Sequence, residues 1–165
     1  MIWEIVMYNI VLKEIEKKEE FGFKNQFLYK DLDIFETDKL RIAIAQCKKD
    51  KIIYLNTYEP DMGLIQKIRE KKSILLVNLL DVINAEGAVR SLLINKLRLF
   101  LELCVKYKVP FVFSFLASNE MEMRTLKEGI AIGTLLGLTR QQAKNAFLNI
   151  KDLIKKWNGE EGIVC

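Results

Sequence analysis

Residues 106–144, KYKVPFVFSFLASNEMEMRTLKEGIAIGTLLGLTRQQAK, decide the fold class of this chain. Residues 109–115 form a short apolar run of β-branched and aromatic side chains, the composition of a buried parallel strand. The loop that follows ends at Arg124. Thr125 and Glu128 then make a Thr-x-x-Glu capping box ahead of the apolar run 130–136, and Gly137 supplies a helix stop. Thr139 and Gln142 make a second box, opening a helix that runs to about Trp157. A strand thus feeds a helix start flanked by Arg124 and Lys127. Cations there oppose the helix dipole by about 0.3–1 kcal/mol unless an anion is present. Folding alone mildly disfavours that pair, so the spacing points to a bound anionic group, phosphate first.

Working outward, the chain alternates strands and helices. Strands are expected at 2–7, 27–35, 52–55 and 74–80, besides 109–115. Helices are expected at 12–20 (ended by Gly22), 39–48 (capped by Thr37) and 64–71, and after the 81–87 loop to about Lys106. Leu40, Ala43, Ile44 and Cys47 set the core stripe of the 39–48 helix. Leu93, Leu97, Phe100, Leu101 and Cys104 set that of the longest helix. Such alternation argues for a parallel sheet covered by helices. The functional face then lies at the strand C-terminal ends, where the loops 56–62, 81–87 and 116–125 gather.

With 165 residues the chain reads as one domain over 1–158 with a short tail over 159–165. No window of about eighteen residues lacks charge, which argues against a membrane span. The first ten residues have no basic region and include Glu4, unlike a signal peptide. Cys47, Cys104 and Cys165 show no paired spacing and read as two core thiols and one tail thiol in an intracellular protein. Cytoplasmic location is the expectation. The net charge is +4, all of it from the C-terminal part. Residues 1–95 hold 15 Lys+Arg and 15 Asp+Glu, whereas 96–165 hold 11 and 7. A basic face of this kind suits phosphate backbones, although a solvated helix surface accounts for the charge equally well.

The chain has no histidine. That excludes a Ser–His–Asp or Cys–His nucleophile and any His-ligated catalytic metal. Carboxylates are what remains. Asp31, Asp33, Glu36 and Asp38 cluster in sequence, and Asp81 and Glu86 follow a strand, so a pair of Mg²⁺ ions on a phosphodiester is the one route to intrinsic catalysis. On a strand Asp31 and Asp33 would share one face, beside Lys30 and Lys39, which suits surface charge better. No catalytic or metal-ligating residue is therefore assigned. Gly129, Gly133 and Gly137 fall four apart on one helical stripe. A phosphate loop needs Gly-Lys-Ser/Thr opening its helix, so close packing is the reading for these glycines.

Several segments together resemble archaeal ribonuclease P protein component 3, of the thirty-kilodalton-subunit family. They are Lys106-Tyr107-Lys108-Val109, Ala117, and Arg124-Thr125-Leu126-Lys127-Glu128. Ile132-Gly133-Thr134-Leu135-Leu136-Gly137-Leu138 and Gln142-Ala143-Lys144 follow, and Arg90 with Leu93 lies upstream. The match is clear over 86–147 and weaker back to about Thr37. Two departures stand out. Leu126 replaces the family's proline at the first helical position, and the chain lacks one or two strand–helix units between residues 20 and 40. The resemblance implies a TIM-barrel-like parallel β/α fold. About five readable strands imply a shortened or incomplete one, since a full barrel takes about 250 residues. It further implies a protein subunit of the ribonucleoprotein that removes the 5′ leader from precursor tRNA. In that enzyme the RNA subunit, with Mg²⁺, performs the hydrolysis, and the protein itself holds no cofactor. The implied partners are ribonuclease P RNA and protein component 2, in a heterotetramer, with precursor tRNA as the holoenzyme's substrate. Arg124, Lys127, Lys144 and Arg90 are the implied RNA contacts, with Arg90 alternatively a core-facing ion-pair partner. A carboxylate- and Mg-dependent phosphoesterase and a plain protein-interaction module are the competing readings.

Overall fold

The structure, a computed structural model, describes residues 7–157. Its strands are β1 (Tyr8–Val11), β2 (Asn25–Leu28), β3 (Ile34–Thr37), β4 (Ile52–Leu55), β5 (Ile74–Asn78) and β6 (Phe111–Ser114). Its helices are α1 (Leu40–Ala45), α2 (Met62–Lys71), α3 (Leu79–Asn84), α4 (Gly87–Lys106), α5 (Leu126–Leu135) and α6 (Arg140–Trp157). Every ladder is parallel. β3, β4, β5 and β6 lie side by side in that order, and β1 pairs with β2 in a separate two-stranded sheet. This is the parallel β/α class expected from the alternation.

The two sheets meet between β1 and β6, where side chains replace a backbone ladder. Ser114 Oγ accepts from Ile10 N at 3.2 Å and donates to Ile10 O at 2.5 Å. Asn9 Oδ1 accepts from Phe115 N at 2.9 Å, while its Nδ2 donates to Phe115 O at 3.3 Å. Leu12 N closes the seam on Ala117 O at 2.9 Å. Asn9 and Ser114 are fully buried, and these bonds are what makes their burial tolerable. The strands therefore follow one another as β2, β1, β6, β5, β4, β3. Among the described residues no ladder joins β2 to β3.

That open edge follows from chain length. Neighbouring parallel strands need a crossover of about a dozen residues or more. Residues 29–33, between β2 and β3, supply only a 3₁₀ turn at Tyr29–Asp31. The single strand expected at 27–35 is thus two strands in different sheets, and Asp31 and Asp33 do not share a strand face. The helix expected at 12–20 is likewise reduced to a 3₁₀ turn at Lys18–Phe21. Its amides are committed elsewhere: Leu12 N and Lys13 N donate to Ala117 O, and Ile15 exchanges two bonds with the Gln26 amide. Gly22 still ends the turn, at φ +89°. Thr37 closes β3 and accepts from Lys39 N at 3.1 Å, leaving α1 without a side-chain cap. The expected first strand, 2–7, falls mostly outside the described residues, as does the tail over 159–165.

The core lies between the sheets and their helices. Phe23, Phe113, Phe115 and Phe147 form its aromatic centre, with ring centroids 5.7–6.4 Å apart. Gly129 and Gly133 let α5 reach that centre, as the close-packing reading expects, whereas Gly137 has open space beside it and acts only as the helix stop. A Cβ on Gly129 would stand 2.6 Å from Phe147 Cζ, and one on Gly133 would stand 2.6 Å from Ala143 Cβ. Gly137 ends α5 in a Schellman motif. Leu138 N bonds Gly133 O, Gly137 N bonds Thr134 O, and φ is +94°. Cys47 and Cys104 are buried thiols as expected, and burial pushes Cys104 up to about 12. Among the described residues no helix is long and apolar enough to cross a membrane.

Candidate nucleic-acid interface

The start of α5 is built as its sequence predicts. Thr125 Oγ1 accepts from Glu128 N at 3.1 Å, and Glu128 Oε2 accepts from Thr125 N at 2.9 Å. The carboxylate of Glu128 thus already serves this helix end. Just before it, half-buried Arg124 donates Nη1 to Met121 O at 3.2 Å and to Met123 O at 2.9 Å. Glu122 fixes the same loop by accepting from Ser118 N, Ser118 Oγ and Asn119 Nδ2. The Ser118 amide leads in holding its carboxyl below the usual range. Arg124 is therefore a staple of the β6–α5 loop as well as a charge. Leu126 sits against Gly22, whose added Cβ would lie 3.1 Å from Leu126 Cβ.

Lys127 and Arg140 come together. Lys127 is the second residue of α5 and Arg140 the first of α6. Both are exposed, and they line one groove of about 240 Å³ with Ile130, Ala131 and Thr134. The second capping box holds α6 at the required place. Thr139 Oγ1 accepts from Gln142 N at 3.1 Å, and Gln142 Oε1 accepts from Thr139 N at 2.8 Å. Lys144 lies one turn beyond Arg140, half-buried on the same side of α6. Arg90 is elsewhere. It is exposed on α4 and donates Nη2 to Ile83 O at 2.7 Å, so the core-facing ion pair does not form. The sequence reading missed the pairing of Arg140 with Lys127. Its only signal was that each follows a capping threonine within the first helical turn.

A second polar cluster sits at the C-terminal ends of β4 and β5. Asp81 Oδ2 accepts from Tyr54 OH at 2.5 Å and from Tyr58 OH at 2.6 Å. Burial pushes the Asp81 carboxyl up, against the pull of those two bonds, and pushes both phenols up. Asn78 completes the hub, its Oδ1 accepting from Leu80 N and Leu116 N at 3.2 Å each. This arrangement ties the loops after β4, β5 and β6 together. Asp31 and Asp33 stay exposed, with Asp33 Oδ2 4.0 Å from Lys48 Nζ. Among the described residues no three carboxylates or cysteines gather in a metal-holding group.

No family model matches the sequence, and no curated protein matches it. Among solved structures the chain resembles one in the cryo-EM structure of archaeal ribonuclease P with mature tRNA. The TM-score is 0.66 at 15% sequence identity, covering 96% of this chain and 84% of that one. What the two share is the fold, over nearly the whole of this chain.

Proposed function

We propose that this chain is a protein subunit of ribonuclease P and acts in tRNA 5′-maturation as its component 3. The observation that carries the reading is the likeness of fold, over 96% of the chain, to a chain of the archaeal enzyme. The sequence resemblance over 86–147 was read from different features and leads to the same enzyme. In this role the polypeptide performs no hydrolysis. It binds the enzyme's RNA through Lys127, Arg140 and Lys144, with Arg124 holding the loop that presents them and Arg90 as a separate contact. Neutralising RNA phosphates lets RNA helices pack and reduces the Mg²⁺ that the catalytic RNA requires. Protein component 2 is the proposed protein partner, and the cytoplasm the proposed location.

Reconstitution tests the reading. Precursor-tRNA cleavage by the RNA subunit and the remaining protein subunits is measured across Mg²⁺ concentrations, with and without this chain. The expected outcome is cleavage at lower Mg²⁺ when the chain is present, and none from the chain alone. Cleavage indifferent to the chain at every Mg²⁺ concentration removes the reading. RNA-independent cleavage that is lost in Asp81→Ala puts the phosphoesterase in its place.

A further inference from the structure

A groove of about 720 Å³ opens where the second half of α4 meets the α5–α6 turn. Leu101, Leu136 and Leu138, all buried, make its floor, and exposed Val105 makes one wall. Arg98 Nε donates to Leu135 O at 3.0 Å, which ties α4 to the end of α5. The second capping box fixes where α6 leaves the turn. The groove is therefore held open by bonds on both sides.

Its rim is polar and uncommitted. Arg98, Glu102 and Lys106 follow one another at single-turn spacing along α4, and all three line the groove. Opposite charges four residues apart on a helix attract, yet among the described residues no ion pair joins Glu102 to either cation. Gln142 gives its Oε1 to Thr139 N at 2.8 Å. Among the described residues nothing accepts from its Nε2, which stays available as a donor. Above a leucine floor the rim thus offers two cations, one carboxylate and one amide donor.

That combination selects the occupant. Inorganic phosphate or the backbone of a duplex would meet Arg98 and Lys106, but Glu102 repels it and the leucines gain nothing. A docked helix needs apolar anchors over two turns, at i, i+3, i+4 and i+7, whereas the floor here is three leucines. A nucleotide uses every group, because it joins a flat apolar face, N–H donors and an anion in one molecule. We propose that the groove takes one unstacked guanosine of an RNA. Its base lies on the leucines, its N1–H and 2-amino group donate to Glu102, and its O6 accepts from Gln142 Nε2. The flanking phosphates meet Arg98 and Lys106. This rests on the RNA-binding reading above and adds base recognition to it. The site is separate from the groove of Lys127 and Arg140, since Arg140 and Gln142, two residues apart on α6, do not face the same way.

The probe is a single-stranded RNA pentamer, AAGAA, labelled for fluorescence anisotropy, beside a second pentamer with inosine in place of the guanosine. Inosine keeps N1–H and O6 and lacks only the amino group. The intact chain should bind the guanosine pentamer about tenfold more tightly. Glu102→Gln should abolish that preference. Lys106→Ala should weaken both pentamers equally and flatten their salt slope by about 0.7. Both positions are exposed on α4, so the variants should keep their circular dichroism spectrum and unfolding midpoint. Equal binding of the two pentamers, a preference that survives Glu102→Gln, or no binding of either overturns the proposal. Equal binding that Lys127→Ala with Arg140→Ala weakens removes the base site alone and leaves the RNA interface in place. Binding of a leucine-rich amphipathic peptide that Glu102→Gln or Lys106→Ala weakens, with the pentamers bound equally, gives the groove to a protein instead.

Discussion

Asp81 carries a charge that its surroundings make costly. Burial raises its pKa although two tyrosine hydroxyls pull the other way. A carboxyl raised on folding contributes stability that is fully present below its unfolded value of about 3.9 and is lost as pH climbs through the folded value. Glu122 has the opposite sign, since its lowered carboxyl contributes above the unfolded value and loses that contribution as pH falls. Asp81→Asn keeps an oxygen for Tyr54 and Tyr58 but abolishes the titration. Thermal midpoints of wild type and Asp81→Asn, compared at pH 4 and pH 7, should diverge in favour of the variant as pH rises. A constant difference between them would mean that Asp81 ionises freely. Sequence alone marked Asp81 as a loop carboxylate after a strand, but not the tyrosines that close on it. Tyr54 and Tyr58 lie 27 and 23 residues away, and only the β4–β5 register brings them there. The candidate interface divides in the same way. Arg124 and Lys127 were legible because a capping box fixes them locally. The groove shared by Lys127 and Arg140 depends on the angle between two helices, which no short motif encodes.

At the scale of elements, α5 shows how local and tertiary demands divide. Glycine at 133 costs helix propensity by about 1 kcal/mol relative to alanine. An alanine there would press its Cβ to 2.6 Å from Ala143 and 3.0 Å from Phe113. Overpacking of this kind costs about 1–3 kcal/mol, so Gly133→Ala should lower stability in urea titrations despite the better helix former. A more stable variant would show that α6 shifts easily. The elements that sequence located well are those with local signals: β4 at 52–55 with the expected bounds, α2, α4, and both capping boxes. α3 was missed because its two leucines extend the apolar run of β5. The signal was Asn78, a residue suited to N-capping, whose Oδ1 takes Leu80 N. The 27–35 strand failed for a different reason. Asp31-Leu32-Asp33-Ile34 keeps the polar–apolar alternation of a strand, and only the geometry of parallel crossovers forces the chain to change sheets there.

For the whole molecule, a net charge of +4 carried by one basic end makes the proposed RNA binding testable by ionic strength. Each phosphate contact to single-stranded RNA contributes a slope of about −0.7 in log affinity against log salt. Lys127→Ala with Arg140→Ala should therefore flatten that slope by about 1.4, measured by filter binding to ribonuclease P RNA. An unchanged slope would place the contacts elsewhere. The seam between β1 and β6 has a consequence in time. Asn9 and Ser114 are separated by 105 residues, and the buried polar atoms of each find their partners on the other's strand or just beyond it. A ribosome adding about 5–20 residues per second makes β1 wait roughly 5–20 s for its neighbour to emerge. Throughout that interval the first strand pair has a bare apolar edge outside the ribosome. The nascent chain is then a client for holding chaperones until β6 has emerged, and a late step of folding is the capture of β1 by β6.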